Sequence, residues 1–435
     1  MTRNLIIICI LLAHIPSLAQ QNSPYSRFGI GQLYPSSLAN TRAMGNVNTA
    51  FQDSIQTNVS NPAALSNKYF TSIDFGLNLN YKSQQDQTNS TSFTEGGVSY
   101  LSYSFPVNQS RTWGMGLGVQ PLTYKGYDVT SDVVNNLYVN EFEGEGNTYK
   151  LFLQNGVEVF DGLSLGLDAG ILFGRLEDKT YNTYVLSTAI SSGQIVQQKL
   201  RGFVFKLGGQ YTTELSDDLN LTIGTTYGLE SELTNDITIE DVTYTVASSE
   251  VSENGKLNVI TRAIQNTDTR TIESEITYPQ TAGFGAYVNK DEKWSLGIDA
   301  KYGNWNNFQG LNDDESQSYK NSIDLGIGGS FIPNYRNPRK AFESFEYRYG
   351  GFYNQSFLTI ANTDIQDYGI TLGVGLPVKR DIPGSRIRQI PSSVDLGVAI
   401  GQTGTIDNNL VQDSYIKGTV GLSLNDIWFQ KKKYD

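Results

Sequence analysis

Residues 163–173 read Leu-Ser-Leu-Gly-Leu-Asp-Ala-Gly-Ile-Leu-Phe, and this stretch decides the fold class. Apolar side chains occupy every second position, and Ser164, Gly166 and Asp168 stand between them. This period of two residues is typical of a β-strand with one apolar face and one polar face. A soluble sandwich would bury the apolar face against a second sheet, whereas a membrane barrel would turn it to lipid.

The same alternation returns along the chain from residue 70 onward. It predicts about fourteen strands, near residues 70–81, 95–105, 112–121, 147–159, 162–175, 201–214, 219–230, 280–289, 294–304, 319–332, 345–357, 366–378, 392–402 and 413–429. Long links such as 122–146 and 231–279 alternate with tight ones such as 160–161 and 215–218. An even strand number, with short turns on one side and long loops on the other, is typical of outer-membrane barrels.

The composition is compatible with a membrane barrel and also with a soluble all-β sandwich or propeller. Only 38% of the residues are hydrophobic, as expected where apolar side chains are needed at every second strand position and the lumen is polar. The sequence therefore predicts an all-β, transmembrane antiparallel barrel over residues 70–435. Its register should turn Leu167 and Ile298 to lipid, and Asp168 and Asp299 to the lumen.

The first residues predict export. Arg3 is a positive n-region, residues 5–12 are an apolar h-region, and Ser17-Leu18-Ala19 is a small-x-small cleavage site. Residues 1–19 are therefore predicted to be a signal peptide. Later residues include no run of about 18 apolar residues, the length that a membrane helix needs. The expected location is the cell outer membrane.

The mature chain has little of the chemistry that enzymes use. Its only cysteine, Cys9, and its only histidine, His14, lie inside the predicted signal peptide. Their loss excludes thiol and imidazole catalysis and ordinary zinc sites, so that only carboxylate, lysine or tyrosine chemistry remains. The acidic run Asp313-Asp314-Glu315 lacks the spacing of a calcium loop, which favours a solvated loop tip. We expect no enzyme activity, no cofactor and no metal site.

Residues 20–69 differ from the rest of the chain. They are rich in Asn, Ser, Ala and Pro, show no sustained alternation, and are too few to bury a core of their own. We expect them to form a compact N-terminal segment. At the other end of the chain, the last strand closes on Trp428 and Phe429, which would suit an aromatic girdle at a membrane interface.

Two regions resemble the long-chain fatty-acid transporter family of outer-membrane barrels. The first comprises residues 43–53 and 58–65, with an Asn-Pro-Ala motif at residues 61–63 after a small-residue segment. The second runs from Tyr278-Pro279-Gln280 to the strand at 294–299 and on to Trp305 and Phe308. Each motif alone is weak, but with the strand count the resemblance covers nearly the whole mature chain.

The resemblance implies a fourteen-strand barrel plugged by an N-terminal hatch. Members of this family admit hydrophobic compounds from outside and release them through a lateral opening. Carried over, Phe51, Asn61, Pro62 and Ala63 would bind ligand in the hatch. Alternatively, Asn61-Pro62 only turns the chain toward the first strand, because a residue before proline favours extended geometry.

The opening of the mature chain and its tail resemble the Bacteroidetes branch of the family, where some relatives serve type IX secretion or outer-membrane assembly. The leading function is the passage of small hydrophobic molecules, and the alternative is a non-transporting subunit of a secretion or assembly complex. Passage of small hydrophobic molecules would need an apolar pocket with a few convergent polar groups beside the hatch. A non-transporting subunit of a secretion or assembly complex would bind other outer-membrane proteins, and the link 231–279 is the first place to expect that contact. The expected partners are outer-membrane lipid, a hydrophobic ligand or such proteins, and not nucleic acid.

Overall fold

The computed structural model describes residues 22–131, 133–134, 137–184, 189–251, 257–290, 293–310, 317–334, 340–381 and 389–427. The predicted signal peptide, the acidic run 313–315 and the pair Trp428-Phe429 lie outside these residues. Eighteen strands are present in the described ranges. They are β1 (Gln32–Leu33), β2 (Thr71–Gln85), β3 (Ser90–Pro106), β4 (Trp113–Thr130), β5 (Tyr138–Phe160), β6 (Leu163–Tyr184), β7 (Ser191–Ser216), β8 (Leu219–Gly228), β9 (Ser231–Val251), β10 (Leu257–Tyr278), β11 (Thr281–Lys290), β12 (Trp294–Gly303), β13 (Gln317–Tyr319), β14 (Ser322–Phe331), β15 (Glu346–Ile360), β16 (Thr363–Asp381), β17 (Gln389–Gly404) and β18 (Gln412–Asp426).

Fourteen of these strands form a closed antiparallel barrel, as the sequence predicts. They are β2–β8, β11, β12 and β14–β18, and the barrel closes where β18 pairs with β2 from Asp426–Thr71 to Gln412–Gln85. The predicted facing is also confirmed. Leu167 and Ile298 are 45% and 52% exposed on the outer surface, whereas Asp168 and Asp299 are 1% and 6% exposed.

Tight turns at residues 161–162 and 217–218 lie at one end of the barrel, which we call the inner end, and the two-residue turn Ala361-Asn362 lies at the other end. The two inner turns depend on a residue with positive φ: Gly162 (φ 75°) between β5 and β6, and Asp218 (φ 64°) between β7 and β8. The longest connection, the hairpin β9–β10, lies at the opposite, outer end. This asymmetry matches the short periplasmic turns and longer extracellular loops of outer-membrane barrels.

The prediction that 231–279 is a long loop without regular structure is wrong. These residues form the hairpin β9–β10, and β9 also pairs with residues 191–201 of β7. The stretch is rich in threonine, valine and isoleucine, which pack well on a pleated surface. Other long links are likewise shorter than predicted, because β5, β6 and β7 continue outward to lengths of 22 to 26 residues.

Residues 22–70 lie inside the barrel before the first barrel strand begins at Thr71. They form short pieces only: a 3-10 turn at Pro24–Arg27, strand β1, one helical turn α1 (Ala39–Arg42) and a 3-10 helix at Pro62–Asn67. Among the described residues, no helix is long and apolar enough to cross a membrane.

Candidate functional site

The N-terminal segment (residues 22–70) is fixed to the barrel wall through Asn61. Its side-chain amide donates hydrogen bonds to the backbone oxygens of Thr49 (2.7 Å), Gly209 on β7 (3.2 Å) and Thr225 on β8 (3.3 Å). Its carbonyl oxygen accepts from the Ala63 N–H at 3.1 Å and caps the 3-10 helix. Asn61 itself is extended, as expected for a residue before proline.

Wall glycines allow the segment to approach closely. A Cβ added at Gly156, Gly166 or Gly208 would overlap atoms of Asn61, Pro62 or Ala63. On the opposite side of the lumen, a Cβ at Gly350 would overlap the backbone of Met44 and Gly45. The glycines that alternate with apolar residues in the sequence therefore form a smooth inner surface on which the segment's backbone lies.

Charged groups complete the attachment. The Asp299 carboxylate accepts hydrogen bonds from the backbone N–H groups of Asn48 (2.7 Å) and Thr49 (2.9 Å). Lys206 Nζ donates to the Ser60 carbonyl at 2.8 Å, and Lys301 Nζ donates to the Asn48 side chain at 2.6 Å. Buried charges need such partners, because an unpaired one costs several kcal/mol.

Within the segment, burial changes the ionisation of two groups. Lys68 is 1% exposed and donates from Nζ to the Ile55 carbonyl at 2.6 Å. Burial lowers the pKa of Lys68 to about 8, although Asp74 and Asp53 oppose that shift. Burial also raises the pKa of Asp53, whose carboxylate accepts from the Ile55 and Gln56 N–H groups.

A cavity of about 320 Å³ lies in the outer half of the lumen beside the segment. Part of its lining is apolar: Leu33, Leu122, Val204, Trp305, Phe357 and Leu358. Six charged residues also line it: Lys150, Lys206, Lys301, Asp299, Asp324 and Asp367. Trp305 stacks on Phe357 with ring centroids 3.9 Å apart, and both belong to an aromatic cluster that includes Phe308. The cavity is therefore mixed in character: more of its lining is apolar than polar, and the six charged residues lie among the apolar ones.

The four predicted ligand residues do not line this cavity. Phe51 packs in a buried cluster and meets Tyr287 edge-on, with ring centroids 5.4 Å apart. Asn61, Pro62 and Ala63 lie against the wall glycines. Their role in ligand binding stays a prediction. The cavity lysines were overlooked in the sequence, although Lys150 and Lys206 stand at the polar positions of alternating strands, where a lumen-facing charge is expected.

The barrel wall has a lateral gap between β3 and β4. These strands pair only where Leu101–Pro106 lies opposite Gly114–Val119, and a bulge at Ser99 interrupts the pairing of β3 with β2. Farther out, β4 pairs instead with β1 of the N-terminal segment. The sequence could not reveal this gap, because one extra residue in a strand is enough to divert it.

The N-terminal segment bridges the gap. The Ser23 N–H donates to the Gly126 carbonyl of β4 at 2.7 Å. On the other side, the Asn22 N–H donates to the Glu95 carboxylate of β3 at 2.6 Å. Glu95 also forms an ion pair with Lys82 of β2 at 2.9 Å. Any movement of molecules through the gap would require this part of the segment to shift.

Beyond the membrane, the barrel continues on one side only. Phe173 and Phe203 are exposed on the outer surface, and the next outward positions are Arg175 and Arg201, whose side chains are 53% and 67% exposed. Charged residues at these positions mark the edge of the hydrocarbon layer. We define the outer wall as the β-structure past this edge: residues 138–148, 174–184 and 191–202, and the hairpin β9–β10.

The outer wall has its own inward-facing core. Tyr181, Val242 and Tyr244 form a buried cluster, and the Arg262 guanidinium lies 3.9 Å above the Tyr181 ring. Arg262 also forms an ion pair with Glu141 at 2.9 Å. These contacts hold the hairpin to β5 and β6, so that the outer wall is a folded part of the molecule.

Together these features define a class: an outer-membrane β-barrel whose lumen contains its own N-terminal segment. The BamG family model matches residues 1–435, and the chain belongs to the BamG family. No curated protein matches the chain.

Solved structures of hydrocarbon transporters share the fold, as the sequence resemblance predicts. The Ralstonia pickettii toluene transporter TbuX is 14% identical with a TM-score of 0.54, covering 89% of this chain and 98% of its own. The P. putida toluene transporter TodX is 14% identical with a TM-score of 0.55, covering 91% and 99%. A Pseudomonas aeruginosa FadL homologue is 13% identical with a TM-score of 0.56, covering 90% and 98%. At this identity the likeness concerns the fold alone.

Proposed function

We propose that this protein is a non-transporting subunit of an outer-membrane secretion or assembly complex, in which the outer wall binds another outer-membrane protein. The observation that carries the proposal is the attachment of the N-terminal segment, which is bonded through Asn61, Asp299, Lys206 and Lys301 to the barrel wall. A cavity with six charged lining residues is more polar than the sites that usually bind small apolar ligands, which contain only a few polar groups.

Membership of the BamG family over the whole chain supports a role distinct from that of the toluene transporters, whose likeness is one of fold. The one-sided outer wall gives this role a physical basis. A folded β-structure outside the membrane is ordered before it meets a partner, so that binding loses less conformational entropy than the ordering of a free loop would cost.

The test replaces residues 231–278 with a short turn and extracts the protein from outer membranes in mild detergent. Heat-modifiable migration on SDS gels shows whether the barrel has inserted. We expect the complex on native gels to dissociate while the barrel stays folded. The matched control shortens the outer link 405–411, and its complex should stay intact. A trimmed protein that remains in a complex of unchanged size would refute the proposal.

The lateral gap favours a second candidate function, the passage of small hydrophobic molecules from the lumen into the membrane. Cysteines at Ser23 and Gly126, which are joined by a backbone hydrogen bond, would lock the segment across the gap. If the protein transports, oxidation should stop uptake of a hydrophobic fluorescent probe and a reductant should restore it. Uptake that is the same in the locked, reduced and wild-type proteins would exclude this route.

A further inference from the structure

Strand β10 presents a long edge on the outer wall. One of its edges pairs with β9 from Leu257–Val251 to Tyr278–Ser231, and no ladder between described residues pairs with residues 264–273 along the other edge. All ten of these residues are exposed, including Ile264 (53%) and Ile272 (46%). The neighbouring β9 buries Leu233, Ile237 and Tyr244. The exposed edge is therefore a property of β10 and not of the whole hairpin.

Proteins commonly protect exposed edges with charged side chains, proline or bulges, or keep them very short. Residues 266–273 have no proline, lysine or bulge, and their charged residues are Asp268, Arg270 and Glu273. Residues 266–278 pair with residues 231–243 without a register shift, and the shifts lie nearer the tip, between Val259 and Asn266. The stretch 264–278 contains no proline, lysine or glycine and has five β-branched residues between 264 and 272. Its N–H and C=O groups at alternate positions point away from β9.

The negative charge of the hairpin favours a partner segment of positive charge. Residues 231–278 contain nine acidic and three basic residues. A second copy of the same hairpin would bring two acidic surfaces together, whereas a basic segment would neutralise this one. In strand addition the backbone hydrogen bonds supply affinity and the alternate side chains supply specificity.

We propose that the free edge of β10 binds an extended, basic segment of a partner outer-membrane protein by strand addition. The inference rests on the proposed function, because it names the part of the outer wall that the partner contacts. Thr267, Thr269, Thr271 and Glu273 lie on one face of the edge, and Asp268, Arg270 and Ile272 lie on the other. Arg270 is paired with Asp241 of β9, so the added strand would meet an unneutralised carboxylate on each face.

The test uses the full-length protein in phosphatidylcholine nanodiscs and a fluorescent twelve-residue peptide that alternates valine and lysine. The comparison peptides replace lysine with glutamate, or carry N-methyl groups at alternate backbone positions. We expect fluorescence anisotropy to show binding of the basic peptide and at least tenfold weaker binding of both others. Equal binding of the basic and N-methylated peptides would refute strand addition. Stronger binding of the acidic peptide, or self-association of the protein through β10, would refute the basic partner.

Two adjacent proline variants locate the edge. Of D268P and T269P, one removes an N–H that bonds to β9 and the other removes an N–H that points outward. The outward variant should keep the hairpin resistant to protease and lose peptide affinity at least tenfold. Should both variants lose protease resistance, the double variant Thr267→Lys and Thr271→Lys leaves the backbone intact and should repel the basic peptide. The control is T91K on β3, which should bind as wild type.

The same variants separate this inference from the proposed function. If trimming residues 231–278 dissociates the native complex and the folded edge variants leave it intact, the outer wall binds a partner but not by strand addition at β10. If trimming itself leaves the complex intact, the proposed function fails. If the trimming and the folded edge variants each dissociate the complex, the proposed function and strand addition at β10 are both supported.

Discussion

At the residue scale, Gly166 is a position where the lumen tolerates no side chain. Its added Cβ would overlap the backbone of Pro62 and Ala63, which cannot move without breaking the bonds of Asn61. We expect Gly166→Ala to lower the free energy of unfolding by about 1–3 kcal/mol, the usual cost of overpacking. Urea unfolding in lipid vesicles measures this cost. Gly97→Ala is the control, because its Cβ would meet only the Asn78 side chain at 3.8 Å. Equal costs would show that the segment does not press on the wall.

Lys68 gives the protein a pH-dependent stability. Its folded-state pKa of about 8 lies below the ordinary value of 10.5, because burial disfavours the ammonium. The unfolded chain therefore binds more protons between these two values, and stability should rise with pH across that window. Below about pH 8 the cost of the buried charge is fully present.

The variant Lys68→Met removes this contribution. The stability of the wild type relative to the variant should increase between pH 8 and 10.5 by up to about 3 kcal/mol. Urea unfolding of both proteins at a series of pH values measures the difference. A constant difference over the window would mean that Lys68 is not buried as a cation.

At the scale of the strand, facing decides the effect of a charge. Ile298 lies on the lipid-facing side of β12, and Ile298→Arg should cost roughly 2–4 kcal/mol if the position is near the bilayer midplane. Thr269→Arg is the control on the outer wall, where water hydrates the new charge and the cost should be small. Comparable losses at the two positions would contradict the placement of the membrane. Unfolding in vesicles is again the measurement.

Strand positions could be predicted from the sequence because successive side chains of a barrel strand face lipid and lumen in turn, so that apolar and polar residues alternate. The pattern in β6 and β12 therefore gave both the strands and the facing of Asp168 and Asp299. It could not show what those carboxylates contact. Asp299 bonds to the backbone of the N-terminal segment, and Asp168 pairs with Lys150 at 2.7 Å. Such contacts depend on the path of residues 22–70, which has no periodic signal.

Alternation in the sequence could predict neither the hairpin β9–β10 nor the lateral gap, for two different reasons. Outside the membrane no strand face contacts lipid, and only part of the hairpin packs on the inward-facing core, so residues 231–278 show the alternation less regularly than β2 or β6. The gap depends on a bulge at Ser99, and a bulge changes the count of residues by one without altering composition.

At the scale of the whole molecule, the barrel supports a folded outer wall outside the membrane. The N-terminal segment, which is attached to the barrel through Asn61, occupies the lumen. The outer wall is exposed outside the membrane, where another protein can bind it. The central question is therefore whether the protein is bound to other proteins in the outer membrane, and the unmodified protein can be used to answer it.

Native mass spectrometry of the full-length protein, extracted from outer membranes in mild detergent, answers that question most directly. The account predicts a hetero-complex in which this chain is joined by at least one other outer-membrane protein at a fixed stoichiometry. A spectrum that shows only the isolated chain, or only copies of it, would contradict the account.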